Sequence, residues 1–232
     1  MAPDDTPAST TSGARAEGSP VGGGPPGSSP PRGASQQGGS GGAEEVPRRE
    51  HVVLDDVGIR RALMRIAHEI VERNDELASL YLVGIPNGGV PLARQLAANL
   101  RQIADLDAVV GILDTTLYRD DLVSAGARPR LRRTEMPSAV DDRVVVLVDD
   151  VASTGRTIRA AMDALMDFGR PRAVQVVALI DRGHRELPIR IDYVGKNIPT
   201  RRSDRVNLRT REGGPEGAME VVVVADEGGS PR

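Results

Sequence analysis

The sequence contains no cysteine and no tryptophan. Without thiols, disulfide scaffolds, thiolate zinc sites and cysteine nucleophiles are all excluded. Aromatic residues are scarce: Phe168, Tyr81, Tyr118 and Tyr193 make up the full set, so stacking on a base has few candidates. Lysine is nearly missing as well, Lys196 being the single one among 30 basic side chains. No apolar run approaches the roughly 18 residues of a membrane span. The first residues, with Pro3, Asp4 and Asp5, lack the apolar stretch of a secretory leader, which predicts a cytoplasmic protein. Charge of one sign is also lacking. The 232 residues carry a formal −3, and residues 51–232 hold 26 basic and 27 acidic side chains. Bulk charge therefore gives no sign of nucleic-acid binding, and any such site has to be a local patch.

Glycine, proline and serine are abundant, but unevenly so. Residues 1–50 contain 11 Gly, 8 Pro and 7 Ser, with no aromatic residue and only Val21 and Val46 as β-branched aliphatics. Such a stretch cannot bury enough apolar surface to offset chain entropy and is expected to be a disordered arm. Residues 51–232 suit one domain. Within it, Ile59, Leu63, Ile66 and Ile70 fall on one helical face, with Asp55 or Asp56 as N-cap. Tyr81 to Ile85 reads as a buried strand closed by Pro86-Asn87-Gly88-Gly89, and Leu92, Leu96 and Leu100 mark a second helix. Ala108 to Leu113, Arg143 to Val148 and Ala173 to Ile180 read as further strands. A third helix runs from about Thr157 to Phe168. Continuous apolar strands separated by helices predict an α/β domain with a parallel sheet covered on both faces. Met219 to Ala225 is a last strand, placed at an edge.

The segment Val144-Val145-Val146-Leu147-Val148-Asp149-Asp150-Val151-Ala152-Ser153-Thr154-Gly155-Arg156-Thr157 carries most of the chemistry. Two carboxylates stand at the C-terminal end of a buried strand, where open α/β sheets bind ligands. A small, hydroxyl-rich turn then opens a helix. Its amide groups, with the hydroxyls of Ser153, Thr154 and Thr157, suit a phosphate. Asp149 and Asp150 can take paired ribose hydroxyls or act through a hydrated Mg²⁺. Together these features describe a sugar phosphate; the spacing is neither a Walker A loop nor a dinucleotide-binding glycine loop.

That segment resembles the phosphoribosyl pyrophosphate (PRPP) motif of type I phosphoribosyltransferases. Arg60-Arg61-Ala62-Leu63-Met64-Arg65-Ile66-Ala67-His68-Glu69, Thr116-Leu117-Tyr118-Arg119-Asp120-Asp121-Leu122, Asp181-Arg182-Gly183-His184-Arg185-Glu186-Leu187-Pro188-Ile189-Arg190 and Tyr193-Val194-Gly195-Lys196-Asn197 are similar to the PyrR family. Its members are bifunctional pyrimidine operon regulators and uracil phosphoribosyltransferases, and the resemblance runs from about Val53 to Ala225. It implies the type I fold with a small hood, and the conversion of uracil and PRPP, with Mg²⁺ carried by PRPP, to UMP and pyrophosphate. It further implies that Asp149, Asp150 and Arg119 serve catalysis and that Val151, Ala152, Ser153, Thr154, Gly155, Arg156 and Thr157 complete the PRPP site. The Thr116–Asp121 loop would close over that site. A hood from residues 182–197 would hold the base through Arg182, Tyr193 and Val194. His68, Arg73, His184, Arg185, Arg190 and Lys196 would contact the leader RNA of pyrimidine genes, under control of UMP or UTP. A homo-oligomer is implied as well.

Two departures bear on activity. Where the family's pyrophosphate loop reads Thr-Arg-Gly, this chain has Asn87-Gly88-Gly89, so Gly88 stands in place of a cation and turnover is expected to be weak and raised by Gly88→Arg. Ala152-Ser153 replaces a bulkier aliphatic–aromatic pair. Three functions thus stand side by side: the bifunctional regulator, an enzyme acting on another base without RNA, and a non-catalytic nucleotide sensor. The composition of the arm predicts that deleting residues 1–50 leaves melting temperature and activity nearly unchanged.

Overall fold

The computed structural model describes residues 49–86, 88–119, 133–211, 213, 215 and 217–225. The expected arm up to residue 48, Asn87, and Asp120 and Asp121 of the expected closing loop lie outside the described residues.

In chain order the elements are β1 (Glu50–Leu54), α1 (Asp56–Arg73), β2 (Leu80–Gly84), α2 (Gly89–Ala104), β3 (Val109–Ile112), β4 (Val144–Ala152), α3 (Arg156–Leu165), β5 (Ala173–Asp181), β6 (Tyr193–Asn197), β7 (Arg205–Thr210) and β8 (Met219–Val224). Local chemistry sets the helix ends. Asp55 caps α1, its carboxylate accepting from the Gly58 N–H at 2.8 Å. Asn74 closes the same helix, its side-chain amide donating to the Ile70 carbonyl at 2.8 Å. Gly155, at φ +92°, turns the chain from β4 into α3.

Five strands form a parallel sheet in the order β3-β2-β4-β5-β6. Side chains alternate along each strand, and both faces are buried. From β4, Val144, Val146 and Val148 pack with Leu80 and Leu82 beneath α1 and α2. Val145 and Leu147 pack with Tyr81 and Val83 beneath α3, against Ala161, Ala164 and Leu165. The α/β architecture read from the sequence is therefore present, with helices on both faces. None of the helices among the described residues is long and apolar enough to cross a membrane.

A second sheet is antiparallel, ordered β1-β8-β7, so the last strand, expected at an edge, lies between two others and pairs on both sides. This changes the expected hood. Residues 193–197 are not part of a separate lobe; they are β6, the edge strand of the central sheet. The smaller sheet is built instead from the two ends of the domain. Val206, Leu208, Val221 and Val223 turn one face of it to the same apolar cluster as α1. The alternation of Val206 and Leu208 was a period-two signal for β7. β1 offered almost none, being five residues at the border of the arm.

That border also shifts. Glu50 opens β1 and pairs with Arg209 at 2.8 Å, and the Ala225 N–H donates to the Arg49 carbonyl at 3.1 Å. A truncation meant to be neutral therefore has to stop at residue 48. Deleting through Leu54 removes the partner of β8 and is expected to lower the melting temperature by more than about 5 °C, at about 2–4 °C per kcal/mol for a chain of this size. Thermal unfolding of the two truncations side by side is the check.

Candidate functional site

The sheet reverses its order between β2 and β4, and the C-terminal ends of these strands are where an open α/β sheet leaves a crevice. The N-terminus of α2 is pressed into that place. A β-carbon on Gly89 would overlap the Val148 carbonyl, and one on Gly84 would lie 2.6 Å from the Val90 α-carbon. Both positions require glycine because backbone fills the space.

Alternation along β4 sends the two carboxylates in different directions. Asp149 is buried and lines a cleft of about 160 Å³ together with Arg119, Val151, Ala152, Ser153, Thr154, Gly155, Thr157 and Ile158. Asp150, half-buried, lies against Gly88 at the start of α2. The backbone folds round both: the Asp150 N–H donates to Asp149 Oδ1 at 3.1 Å, and the Val151 N–H to Asp150 Oδ1 at 2.9 Å. Burial, and then the neighbouring Asp150 charge, hold the Asp149 carboxyl well above the usual carboxylate range, with Arg119 partly opposing the shift. Burial raises Asp150 too.

The turn after β4 is built as the sequence indicated. Thr154 Oγ1 accepts from the Arg156 N–H at 3.3 Å, and the side chains of Ser153 and Thr157 line the same cleft. Arg156 itself points outward to Glu186, at 3.0 Å. Arg119 is steadied by neighbours that sequence reading missed. Arg159 of α3 donates to the Tyr118 carbonyl at 3.1 Å, and the Tyr118 hydroxyl bonds to Asp167. These contacts span 41 and 49 residues of sequence, and no spacing rule joins them.

Other expected site residues are placed elsewhere. Tyr193 does not stand ready to stack on a base. It is 2% exposed, its ring lies under Arg73 at 5.5 Å, and its hydroxyl donates to Gln175 at 2.9 Å and accepts from Asn74 at 3.3 Å. As the first residue of an edge strand flanked by α1, it has been drawn into the core. The Val194 carbonyl is taken by Arg65 at 2.8 Å. Arg182 turns from the cleft to the chain before β7, donating to Thr200 Oγ1 at 3.0 Å and to the Arg201 carbonyl at 2.6 Å.

The residues expected to contact RNA divide into two groups. Arg73 pairs with Asp192 at 2.9 Å beside the start of β6, Lys196 donates to the Val53 carbonyl at 2.8 Å, and His68 and Arg190 are exposed. His184 and Arg185 follow β5 at the C-terminal end of the sheet, near which Lys196 also lies, and point inward. A His184 ring nitrogen bonds to the Thr200 carbonyl at 2.8 Å, and the Arg185 guanidinium donates to the carbonyls of Ser153, Gly183 and Ile189 and to the Asp181 carboxylate.

The phosphoribosyl transferase domain family matches residues 52–208. The bifunctional protein PyrR of Pelotomaculum thermopropionicum is 54% identical over 177 residues, covering 76% of this chain and 97% of that protein. The bifunctional protein PyrR of Roseiflexus sp. is 54% identical over 181 residues, 77% of this chain and 99% of that one. The chain belongs to the PyrR family. Its fold is also that of solved phosphoribosyltransferases. A hypoxanthine phosphoribosyltransferase of Trypanosoma cruzi superposes with a TM-score of 0.55 at 17% identity, covering 76% of this chain and 97% of that chain. One from Staphylococcus aureus gives 0.51 at 21%, covering 65% and 79%. In this PyrR-family chain the strand-end carboxylates, the turn and Arg119 thus sit on a phosphoribosyltransferase scaffold.

The geometry around Gly88 reverses one expectation. Its φ of −81° is ordinary, so the obstacle to a side chain is spatial: a β-carbon would lie 2.6 Å from Asp150 Cγ. Gly88→Arg has to drive Asp150 from its place and is expected to lower PRPP affinity, not to raise turnover. The buried carboxyl makes a second prediction. With its pKa raised in the fold, Asp149 binds protons more tightly folded than unfolded, so its contribution to stability falls as pH rises from the ordinary carboxylate value through the raised one. Asp149→Asn is therefore expected to raise the melting temperature at pH 7 and to flatten the pH dependence across that window, measured by thermal unfolding from pH 4 to 8.

Proposed function

We propose that this protein is a uracil phosphoribosyltransferase that also regulates pyrimidine genes through their leader RNA. The observation that carries the reading is the cleft that unites Asp149, the Ser153–Thr157 turn and Arg119, in a chain 54% identical over 177 residues to a bifunctional PyrR protein.

The chemistry follows from charge. The C1–oxygen bond of PRPP breaks as uracil N1 bonds to C1 and gives up its proton to the departing pyrophosphate or to water, yielding UMP and pyrophosphate, and positive character develops on the ribose. No covalent nucleophile is required; positioning and electrostatics are sufficient. The turn amides and hydroxyls hold the 5′-phosphate, where small side chains let the backbone approach. Asp149 takes a ribose hydroxyl and faces the developing charge. Asp150, beside the N-terminus of α2, takes the second hydroxyl, and the amides of Gly88 and Gly89 lie toward the leaving group. Arg119 supplies the cation on the open side.

The carboxylates of Asp149 and Asp150 are hard oxygen donors of the kind Mg²⁺ accepts alongside substrate phosphates. When bound with PRPP, the ion neutralises charge on the leaving diphosphate.

For RNA, the edge formed by α1 and β6 is the favoured surface, with His68 and Arg73 on α1, Lys196 on β6 and the exposed Arg190 on the chain leading into β6. Contacts there would be chiefly to phosphates and loop bases of a hairpin, and would weaken with salt. Nucleotide in the cleft shifts the affinity by linkage, typically about 1–3 kcal/mol.

Pyrophosphate release from PRPP, with and without uracil, tests the enzyme. Uracil-dependent release is expected, and Asp149→Asn or Thr154→Ala should abolish PRPP binding by calorimetry while the fold persists. Unchanged affinity in both variants defeats the assignment of the cleft. For the regulator, a mobility-shift titration with the cognate leader RNA, with and without UMP, is expected to show binding tighter than to a scrambled RNA and weakened by Arg190→Ala. Equal binding to both RNAs would leave only the enzyme.

A further inference from the structure

The carbonyl groups of the turn after β4 are held from behind. Arg185 Nη1 donates to the Ser153 carbonyl at 2.6 Å, across 32 residues of sequence. The N–H groups of Glu186 and Leu187 donate to the next carbonyl, that of Thr154, at 3.0 and 3.1 Å. Arg185 is itself fixed at both flanks: Nη2 pairs with Asp181 at 2.7 Å, and Nε donates to the Ile189 carbonyl at 3.1 Å. Both members of the Arg185–Asp181 pair are mostly buried, at 24% and 18% side-chain exposure. The guanidinium thus ties three places together, the end of β5, the turn, and the chain before β6.

A planar trans peptide points its carbonyl and the following N–H in opposite directions. Pinning the Ser153 and Thr154 carbonyls toward residues 185–187 therefore turns the Thr154 and Gly155 amides the other way. That is the side of the cleft, which Ser153, Thr154, Gly155 and Thr157 line and residues 183–189 do not. We propose that Arg185 is a positioning residue that aims the amides of the turn at the anion. It touches neither ribose nor phosphate; it removes the alternative peptide orientation, in which a carbonyl oxygen would face the ligand. This rests on the reading of the cleft as a phosphoribosyl site.

Glu186 extends the same strap. Its carboxylate pairs with Arg156 of α3 at 3.0 Å and with Arg202 at 3.3 Å, so the segment that orients the turn is also tied to the chain leading into β7.

The test compares full-length wild type with Arg185→Ala, Arg185→Lys and Asp181→Asn. Three readouts are PRPP affinity by calorimetry, steady-state constants for each substrate, and hydrogen exchange of a peptide spanning residues 153–157. Arg185→Ala is expected to raise KM for PRPP at least about tenfold, the scale of one charge-assisted hydrogen bond. KM for uracil should change less than about threefold, since a general loss of structure would move both. Exchange across 153–157 is expected to rise while that of β2 stays constant. Arg185→Lys should recover part of the PRPP affinity, and Asp181→Asn, which loosens the anchor but leaves the Ser153 bond possible, should shift the same quantities less. A folded Arg185→Ala with wild-type PRPP affinity and wild-type exchange overturns the proposal, as does loss of leader-RNA binding with PRPP affinity intact. If Arg185→Ala does not fold, Asp181→Asn decides by the same two measurements. A wild type that does not bind PRPP defeats the phosphoribosyl reading instead; exchange across 153–157 then still tests Arg185, and no change there overturns its role.

Discussion

The N-terminus of α2 lies so close to the end of β4 that backbone meets backbone without room for a β-carbon at Gly89. Everything at the crevice follows from that contact. Because α2 begins against the Val148 carbonyl, the next residues of β4 emerge at the mouth of the sheet, where one side chain has to face the helix and the other the open cleft. Two adjacent carboxylates in an extended strand cannot point the same way. Asp149 and Asp150 therefore work as separate groups with separate neighbours, one beside Arg119 and the turn, the other at a helix N-terminus that favours negative charge.

The burial of Asp149 shows how such a site conflicts with the stability of its own fold. A carboxyl placed out of water next to a second carboxyl weakens the ionised folded state, and the apolar strands on both sides compensate for it. Val146, Leu147 and Val148 are fully buried immediately before it. The clearest strand in the chain leads directly to this buried carboxyl.

This also explains what the sequence could reveal. The helices with Ile59-Leu63-Ile66-Ile70 and Leu92-Leu96-Leu100 were legible because their apolar faces repeat at helical period, and β2, β4 and β5 because double-sided burial leaves uninterrupted apolar runs. The turn from Ser153 to Thr157 was legible because its chemistry is local. What failed was non-local. Tyr193 looked like a free aromatic until α1 and Gln175 enclosed it, Arg185 looked like a surface cation until Ser153 and Asp181 came to meet it, and Gly88 looked like a missing arginine until Asp150 was found in the space. A deciding neighbour in each case, Asn74 for Tyr193, Ser153 for Arg185 and Asp150 for Gly88, lies more than 30 residues away, where sequence spacing carries no information about it.

The small antiparallel sheet brings the ends of the folded domain together, with the Ala225 N–H bonded to the Arg49 carbonyl. Topologically the domain is close to a ring that happens to be cut between residues 225 and 49. A circular permutant that joined these ends and opened elsewhere would keep every strand neighbour and every site residue in register. The same adjacency places residues 49 and 225 at one corner of the folded domain, where β1, β7 and β8 meet. A tag fused directly at residue 49 or at residue 225 would therefore stand at that same corner, whichever of the two carries it.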